Sequence, residues 1–235
     1  MTRRIVTRYT IASPRVTQDV TFAILADLHN GPYEEFLPQL QEADAVLVPG
    51  DLLNRHRLGW ENAERFIAEV PKLRPVFYSL GNHERKYPAP ERRHWLKLVK
   101  RSDVVLLDDS ITTFAGVSLG GLTSVRRPEQ MNRQMLAKLA AMPGFRLLLC
   151  HHPEYYPAGV KDYDLDLVVA GHAHGGQVQC FGRGLYAPGQ GFFPRLTDGF
   201  YYDNHLLVSR GATNSASAPR LFNPCEIIML KIEKV

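Results

Sequence analysis

Cysteine is scarce in this chain: Cys150, Cys180 and Cys225 lie far apart, with no Cys-x-x-Cys spacing. Neither a disulfide framework nor a zinc ribbon is indicated, and the usage suits a reducing compartment. Long apolar runs are missing too, since none approaches the ~18 residues that a membrane-spanning helix needs. The opening Met1-Thr2-Arg3-Arg4-Ile5-Val6 superficially resembles a twin-arginine export signal, yet Arg8, Ser13, Pro14, Arg15, Gln18 and Asp19 interrupt the stretch behind it. A signal needs an apolar core of about 7–15 residues there. The expectation is a cytoplasmic protein, with peripheral contact at the envelope as its one membrane role. Net charge is also modest, +4 with a pI near 9.0; that fits a phosphate-bearing partner and calls for no specific nucleic acid. Internal repeats, low-complexity tracts and linkers are absent, so residues 1–235 read as one domain.

What the chain does have is a set of five short apolar runs that end in polar residues. Phe22 to Ala26 ends in Asp27-Leu28-His29, and Ala45 to Val48 ends in Gly50-Asp51. Val76 to Leu80 ends in Gly81-Asn82-His83-Glu84, and Arg146 to Cys150 in His151-His152-Pro153. The last run reaches Ala170 and passes into Gly171-His172-Ala173-His174-Gly175-Gly176-Gln177. Runs rich in Val, Ile, Leu and Phe without strict alternation suit strands covered on both faces. In α/β sheets the carboxyl ends of such strands open onto a crevice where ligands bind. Five endings would therefore deliver Asp27, His29, Asp51, Asn82, His151, His172 and His174 to one place.

Imidazole nitrogens and carboxylate oxygens with no thiolate suit zinc, iron or manganese better than calcium or magnesium. The set is too large for one ion, because a catalytic zinc typically takes about three protein ligands. Shared use of Asp51 divides it into two equal groups, and two metals about 3.5–4 Å apart stabilise both oxygens of an in-line phosphoryl displacement. Asp27 and His29, two apart, would face one side of a regular strand. At His151-His152 neighbours would point oppositely, so one of the two is a ligand and the other is left for substrate or a supporting hydrogen bond.

The ordered set Asp-x-His, Gly-Asp, Gly-Asn-His-Glu, His-His-Pro and Gly-His-x-His resembles the calcineurin-like metallophosphoesterase superfamily. The stretch Gly171 to Gln177, with Leu185-Tyr186-Ala187-Pro188 and Gly191-Phe192-Phe193-Pro194, resembles its small bacterial phosphodiesterases. The resemblance implies a four-layer α/β/β/α sandwich with two central mixed sheets. It implies two divalent or trivalent metal ions, of manganese, iron or zinc. One takes Asp27, His29, Asp51 and His174, the other Asp51, Asn82, His151 and His172. It makes His83 the catalytic histidine that is not a ligand, assisting the leaving group while a metal-bridging hydroxide attacks phosphorus. As imidazolium, such a donor typically contributes roughly 10²–10⁴-fold. Glu84 is read as holding its loop by hydrogen bonds.

Serine/threonine phosphatases of the superfamily carry Gly-Asp-x-Val-Asp-Arg-Gly. Here Gly50-Asp51-Leu52-Leu53-Asn54-Arg55-His56 keeps only the arginine of the second half. That argues against phosphoprotein substrates and leaves phosphodiesters first, with phosphomonoesters and lipid-linked pyrophosphates as alternatives. The partner is a small phosphate ester or a lipid head group. Arg55 and Arg85, with His152, are the candidate substrate contacts; Arg126 and Arg127 are further cations for a phosphate clamp. A non-catalytic scaffold should have lost ligands, and none is lost. A metal-dependent amidohydrolase would show His-x-His at the first strand, the reverse of the order here. Val104 to Leu107, Ile111 to Phe114 and Val117 to Leu119 read as strands opening a second sheet. Gly199 to Val208 reads as one strand. Gly191-Phe192-Phe193-Pro194 and Tyr201-Tyr202 read as packing of that second sheet, in preference to a rim for a lipid tail.

Overall fold

The computed structural model describes residues 3–214 and 219–235; Met1 and Thr2 of the opening segment fall outside the described residues. Arg4–Ser13 (β1) is a half-exposed edge strand, as its mixed composition predicts. Next come Val20–Ile24 (β2), the short helix Leu37–Glu42 (α1), Ala45–Val48 (β3), Glu61–Glu69 (α2) and Val76–Tyr78 (β4). Pro38 sits in the first turn of α1, where its missing N–H costs nothing. Asn82–Lys86 (α3) and Ala89–Arg101 (α4) lead to Val105–Leu106 (β5).

Ser110–Phe114 (β6) and Val117–Leu122 (β7) form an antiparallel pair. They are followed by Arg133–Ala140 (α5), Phe145–Cys150 (β8) and Leu167–Ala170 (β9). Two very short hairpins come next, Gln179–Cys180 (β10) with Arg183–Gly184 (β11), and Tyr186–Ala187 (β12) with Gly191–Phe192 (β13). Gly199–Tyr201 (β14), Leu206–Val208 (β15) and Cys225–Lys234 (β16) complete the chain.

The strands make two six-stranded mixed sheets, ordered β1-β16-β2-β3-β4-β5 and β14-β15-β9-β8-β7-β6. Phe22, Ile24, Leu47 and Phe77 of the first meet Leu119, Leu147, Leu149 and Val169 of the second in a core between the sheets. Alternate residues turn outward. Ala23, Val46 and Tyr78 pack with Leu40, Phe66, Trp95 and Val99 of the helices on one side. Leu148 and Val168 pack with Met135, Leu136 and Leu139 of α5 on the other. Both faces of each central strand are thus apolar, which explains runs without alternation, and the architecture is the expected four-layer sandwich.

Three local readings are corrected. β5 joins the first sheet, parallel to β4, because α4 supplies the crossover that parallel pairing requires. Gly199 to Val208 is a hairpin rather than one strand: Tyr202, Asp203 and Asn204 all have left-handed backbone, which reverses the chain. Phe192 and Phe193 do not pack under the second sheet but stand exposed, since β12 and β13 are too short to own a covered face. Tyr201 does pack against that sheet's outer core. No helix of the described residues is long and apolar enough to cross a membrane.

Candidate metal centre and active site

β2, β3 and β4 bring three of the polar endings from the first sheet, and β8 and β9 bring two from the second. All five meet where the sheets' carboxyl ends adjoin. Asp27, His29, Asp51, Asn82, His151, His172 and His174 are all buried there. Asp27 and His29 reach one place, but not by strand alternation. β2 ends at Ile24, and Asp27, His29, Asp51, His172 and His174 all have left-handed backbone, with φ of 54°, 50°, 58°, 67° and 49°. Such conformations are costly for residues with a Cβ and persist where the surroundings impose them, typically at functional sites. Here backbone bonds impose them in part: Asp27 N–H donates to Gly50 O and His29 N–H to Asp51 O at 2.9 Å.

The donors fall into two overlapping halves. In one, Asp27 Oδ1 lies 3.6 Å from His29 Nε2 and 3.7 Å from His174 Nε2. In the other, His151 Nε2 lies 3.1 Å from both Asp51 Oδ2 and Asn82 Oδ1. Asp51 Oδ2 is also 3.9 Å from His29 Nε2, so one carboxylate oxygen faces both halves. His172 gathers with Asp51 and His151 in a group whose atoms could hold a cation, as Asp27, His29 and His174 could.

The chemistry of the second half asks for a positive charge. His151 Nδ1 is 2.9 Å from Pro49 O, to which it donates. Its Nε2 then aims a lone pair at two acceptor oxygens, each 3.1 Å away, and that contact needs a cation. In the metal-free protein a proton serves. Burial pushes His151 down, but Asp51 and Asp27 more than offset it and hold the ring up at about 10. In the first half His29 donates from Nδ1 to Leu53 O at 3.2 Å. Arg220 Nη2, 2.9 Å from His174 Nδ1, leaves that ring's proton on Nε2, facing His29 Nε2 at 3.2 Å. A cation held there through His174 Nε2 would require the ring's other tautomer, with its proton on Nδ1 and the Arg220 contact released.

His83 adjoins the donors: its Nε2 lies 3.9 Å from Asp51 Oδ2, and with His29 and Asp51 it makes a further group whose atoms could hold a cation. Its backbone N–H donates to Asp51 Oδ1 at 2.8 Å, and its Nδ1 accepts from Arg55 N–H at 3.1 Å. Burial pushes the ring down to about 3; Asp51 opposes this, and His29 and Arg55 add to it. The ring is therefore neutral near pH 7, with its proton on Nε2, and the imidazolium expected from the sequence gives way to a neutral N–H donor. Glu84 holds the loop as expected. Its carboxylate accepts from Gly81 N–H at 2.8 Å, Asp51 N–H at 3.0 Å and Leu53 N–H at 2.9 Å, tying the second and third endings together.

His152 is separate from His151. Its Nε2 lies 2.6 Å from Ser124 Oγ and its Nδ1 3.0 Å from Glu154 Oε1, and the other oxygen of Glu154 has no partner among the described residues. Above the donors opens a cavity of about 640 Å³ lined by Asp51, Asn82, His83, His172 and His174. Arg55, Arg85 and His152, the substrate contacts expected from the sequence, line it as well, with Arg126, Lys86, His56 and Glu154. Arg127 does not. Lys86 is pushed below its ordinary value by burial and by Arg55, Arg85 and Arg126, which records how much positive charge gathers at the wall. Asn54, at the position where phosphatases carry a second Asp, is buried and spends its Oδ1 on His56 N–H at 3.0 Å. His94 stacks on Trp60, and His205 contacts Leu165 O, both outside the cavity. Arg220, Ser124 and Glu154 were not legible as site residues, because no motif surrounds them and only the fold brings them in.

A family model described as calcineurin-like phosphoesterase matches residues 20–176. The chain belongs to that family. Members use divalent metals, and both donor halves lie within the matched span. A metallophosphoesterase of Campylobacter jejuni is 28% identical over 94% of this chain and 61% of its own length. Phosphodiesterase YaeI of Escherichia coli is 26% identical over 88% of this chain and 80% of its own. The chain thus spans about three fifths of the Campylobacter relative. NAD nucleotidase of Haemophilus influenzae superposes with a TM-score of 0.49 at 17% identity, over 66% of this chain and 38% of that one.

Proposed function

We propose that the chain is a binuclear metal-dependent phosphohydrolase that cleaves phosphodiesters. The observation that carries this reading is Asp51 Oδ2 standing between His29 Nε2 and His151 Nε2, one carboxylate serving two donor sets. Asp27, His29, Asp51 and His174 would hold one cation, and Asp51, Asn82, His151 and His172 the other, of manganese, iron or zinc. When bound, the pair supplies Lewis acidity, lowering the pKa of water and neutralising phosphoryl oxygens.

The chain's own residues do the rest. Leu53 O and Pro49 O fix the tautomers of His29 and His151, so that Nε2 of each faces inward. Arg55, Arg85, Lys86 and Arg126 draw the phosphate into the cavity and balance its charge. His83 offers Nε2–H to the leaving oxygen, its ring held by Arg55 N–H from behind. Support for diesters comes from the name of the Escherichia coli relative and from the altered Gly50 to His56 loop. Phosphomonoesters and lipid-linked pyrophosphates are the competing substrates for the same site.

The test is hydrolysis by protein loaded with Mn²⁺, Zn²⁺ or Fe, against aryl phosphodiesters, phosphomonoesters, nucleotides and lipid pyrophosphates. Diesters should turn over fastest. Monoesters faster by a wide margin would end the diesterase reading, and no turnover of any ester would end the hydrolase reading. Asp51→Asn should lose bound metal. His83→Ala should keep both metals by elemental analysis while kcat falls roughly 10²–10⁴-fold; metal depletion in that variant would make His83 a ligand.

A further inference from the structure

Beside the cavity lies a lobe that the chemistry does not use. Phe181 is fully exposed, and Phe192, Phe193 and Phe222 are 78%, 77% and 89% exposed. They belong to one surface. Gln179 N–H donates to Leu221 O at 3.0 Å, which sets Leu221-Phe222 beside the β10–β11 hairpin, whose turn carries Phe181. Phe193 N–H donates to Leu185 O at 2.9 Å, which ties the second hairpin to the first.

The lobe's own segments carry no acidic residue, and the carboxylate that reaches its base, Asp198, accepts from Gln179 Nε2 at 3.0 Å and is paired with Arg210. No Asp or Glu occurs between Asp166 and Asp198, or between Asp203 and Glu226. Arg183 and Arg195 are exposed there, line one depression with Phe193, and have no carboxylate partner among the described residues. Tyr186, which meets Phe192 edge-on, also lines the catalytic cavity with Pro188 and Gly189, so the lobe continues into its mouth. Exposed apolar area on this scale marks an interaction surface. Large apolar side chains at hairpin tips, flanked by unpaired guanidinium groups, match the boundary between acyl chains and anionic headgroups.

We propose that this lobe docks the chain on an anionic lipid bilayer. Phe181, Phe192, Phe193 and Phe222 enter the headgroup boundary, Arg183 and Arg195 meet headgroup phosphates, and the cavity mouth is carried to the bilayer surface. The docking does not rest on the phosphodiesterase reading, because it is a binding event that needs no turnover.

The experiment is co-sedimentation of the full chain with vesicles of phosphatidylcholine alone or mixed with phosphatidylglycerol, at low and high salt. Binding to the mixed vesicles is expected, weakened by salt. Arg183→Gln with Arg195→Gln should weaken it roughly fivefold per arginine, and Phe192→Ser with Phe193→Ser by about tenfold or more. Both double variants should keep the wild-type melting temperature and the wild-type rate on any soluble ester the protein hydrolyses. Failure of the wild type to bind, equal binding to neutral vesicles, or unchanged binding by the variants would overturn the proposal. So would a wild-type dimer in solution that Phe192→Ser with Phe193→Ser converts to monomer, which would give the surface to a second copy of the chain.

Discussion

Replacing Glu84 tests how the site is held. Its two oxygens, fully buried, accept backbone N–H groups from Gly81, Asp51 and Leu53 at 2.8–3.0 Å. Glu84→Ala leaves three buried donors without an acceptor. At about 1–3 kcal/mol for each buried group left unpaired, the loss is at least about 3 kcal/mol against a typical total of about 5–15 kcal/mol. Glu84→Gln keeps an oxygen for the Gly81 and Asp51 donors and sets an NH₂ against Leu53 N–H. It therefore costs about 1–3 kcal/mol. Urea unfolding of metal-free protein measures both.

The difference should depend on pH. Burial and the charge of Asp51 push Glu84 up to about 7, although the N–H groups of Leu53 and Gly81 hold it back. A carboxyl raised in the folded state contributes stability that is complete below its unfolded pKa, near 4.5, and lost as pH rises through about 7. Glutamine does not titrate, so the cost of Glu84→Gln relative to the wild type should be largest at low pH, where the wild type has its full contribution, and should shrink as pH rises through about 7. Glu84→Ala costing under about 1 kcal/mol, or Gln costing as much as Ala, would refute the claim that these hydrogen bonds hold the loop.

With His151 held at about 10, metal-free protein should lose stability as pH rises from its unfolded value near 6.5 through 10. Thermal melting tracks that loss, and metal-loaded protein should lack the slope and release a proton on loading at pH 8, read in weak buffer. His83, neutral because burial pushes it down to about 3, should add no limb to the rate profile between pH 6 and 8; a limb there that vanishes in His83→Gln would contradict its neutral state. Gly81→Ala should cost metal affinity, because a Cβ at that position collides with Asp51 Oδ1; elemental analysis with wild-type metal content would refute it.

The ordered polar endings, the strands that bear them and the two-sheet class were legible in the sequence. Burial on both faces leaves its mark in every residue of a central strand, and donor chemistry is carried by residue type. That His151 and His152 would part company was legible as well, from the opposite directions of neighbouring side chains, but the choice of His151 came from the family resemblance. The placement of β5 was not, because parallel or antiparallel pairing of so short a strand is settled by the helix that precedes it and by the free edge it finds. Tyr202 to Asn204 hid a reversal for a related reason, since a left-handed turn need not announce itself with glycine.

What the sequence determined by itself is the inventory: which groups can grip cations, in what order they come, and that apolar strands deliver them. Only the tertiary structure decided how they act. Left-handed backbone brought Asp27 to His29, burial kept His83 neutral, and Arg220 was set against His174 and Glu154 against His152. Those outcomes depend on distances and solvent exclusion between segments remote in the chain, and local residue pattern does not encode them.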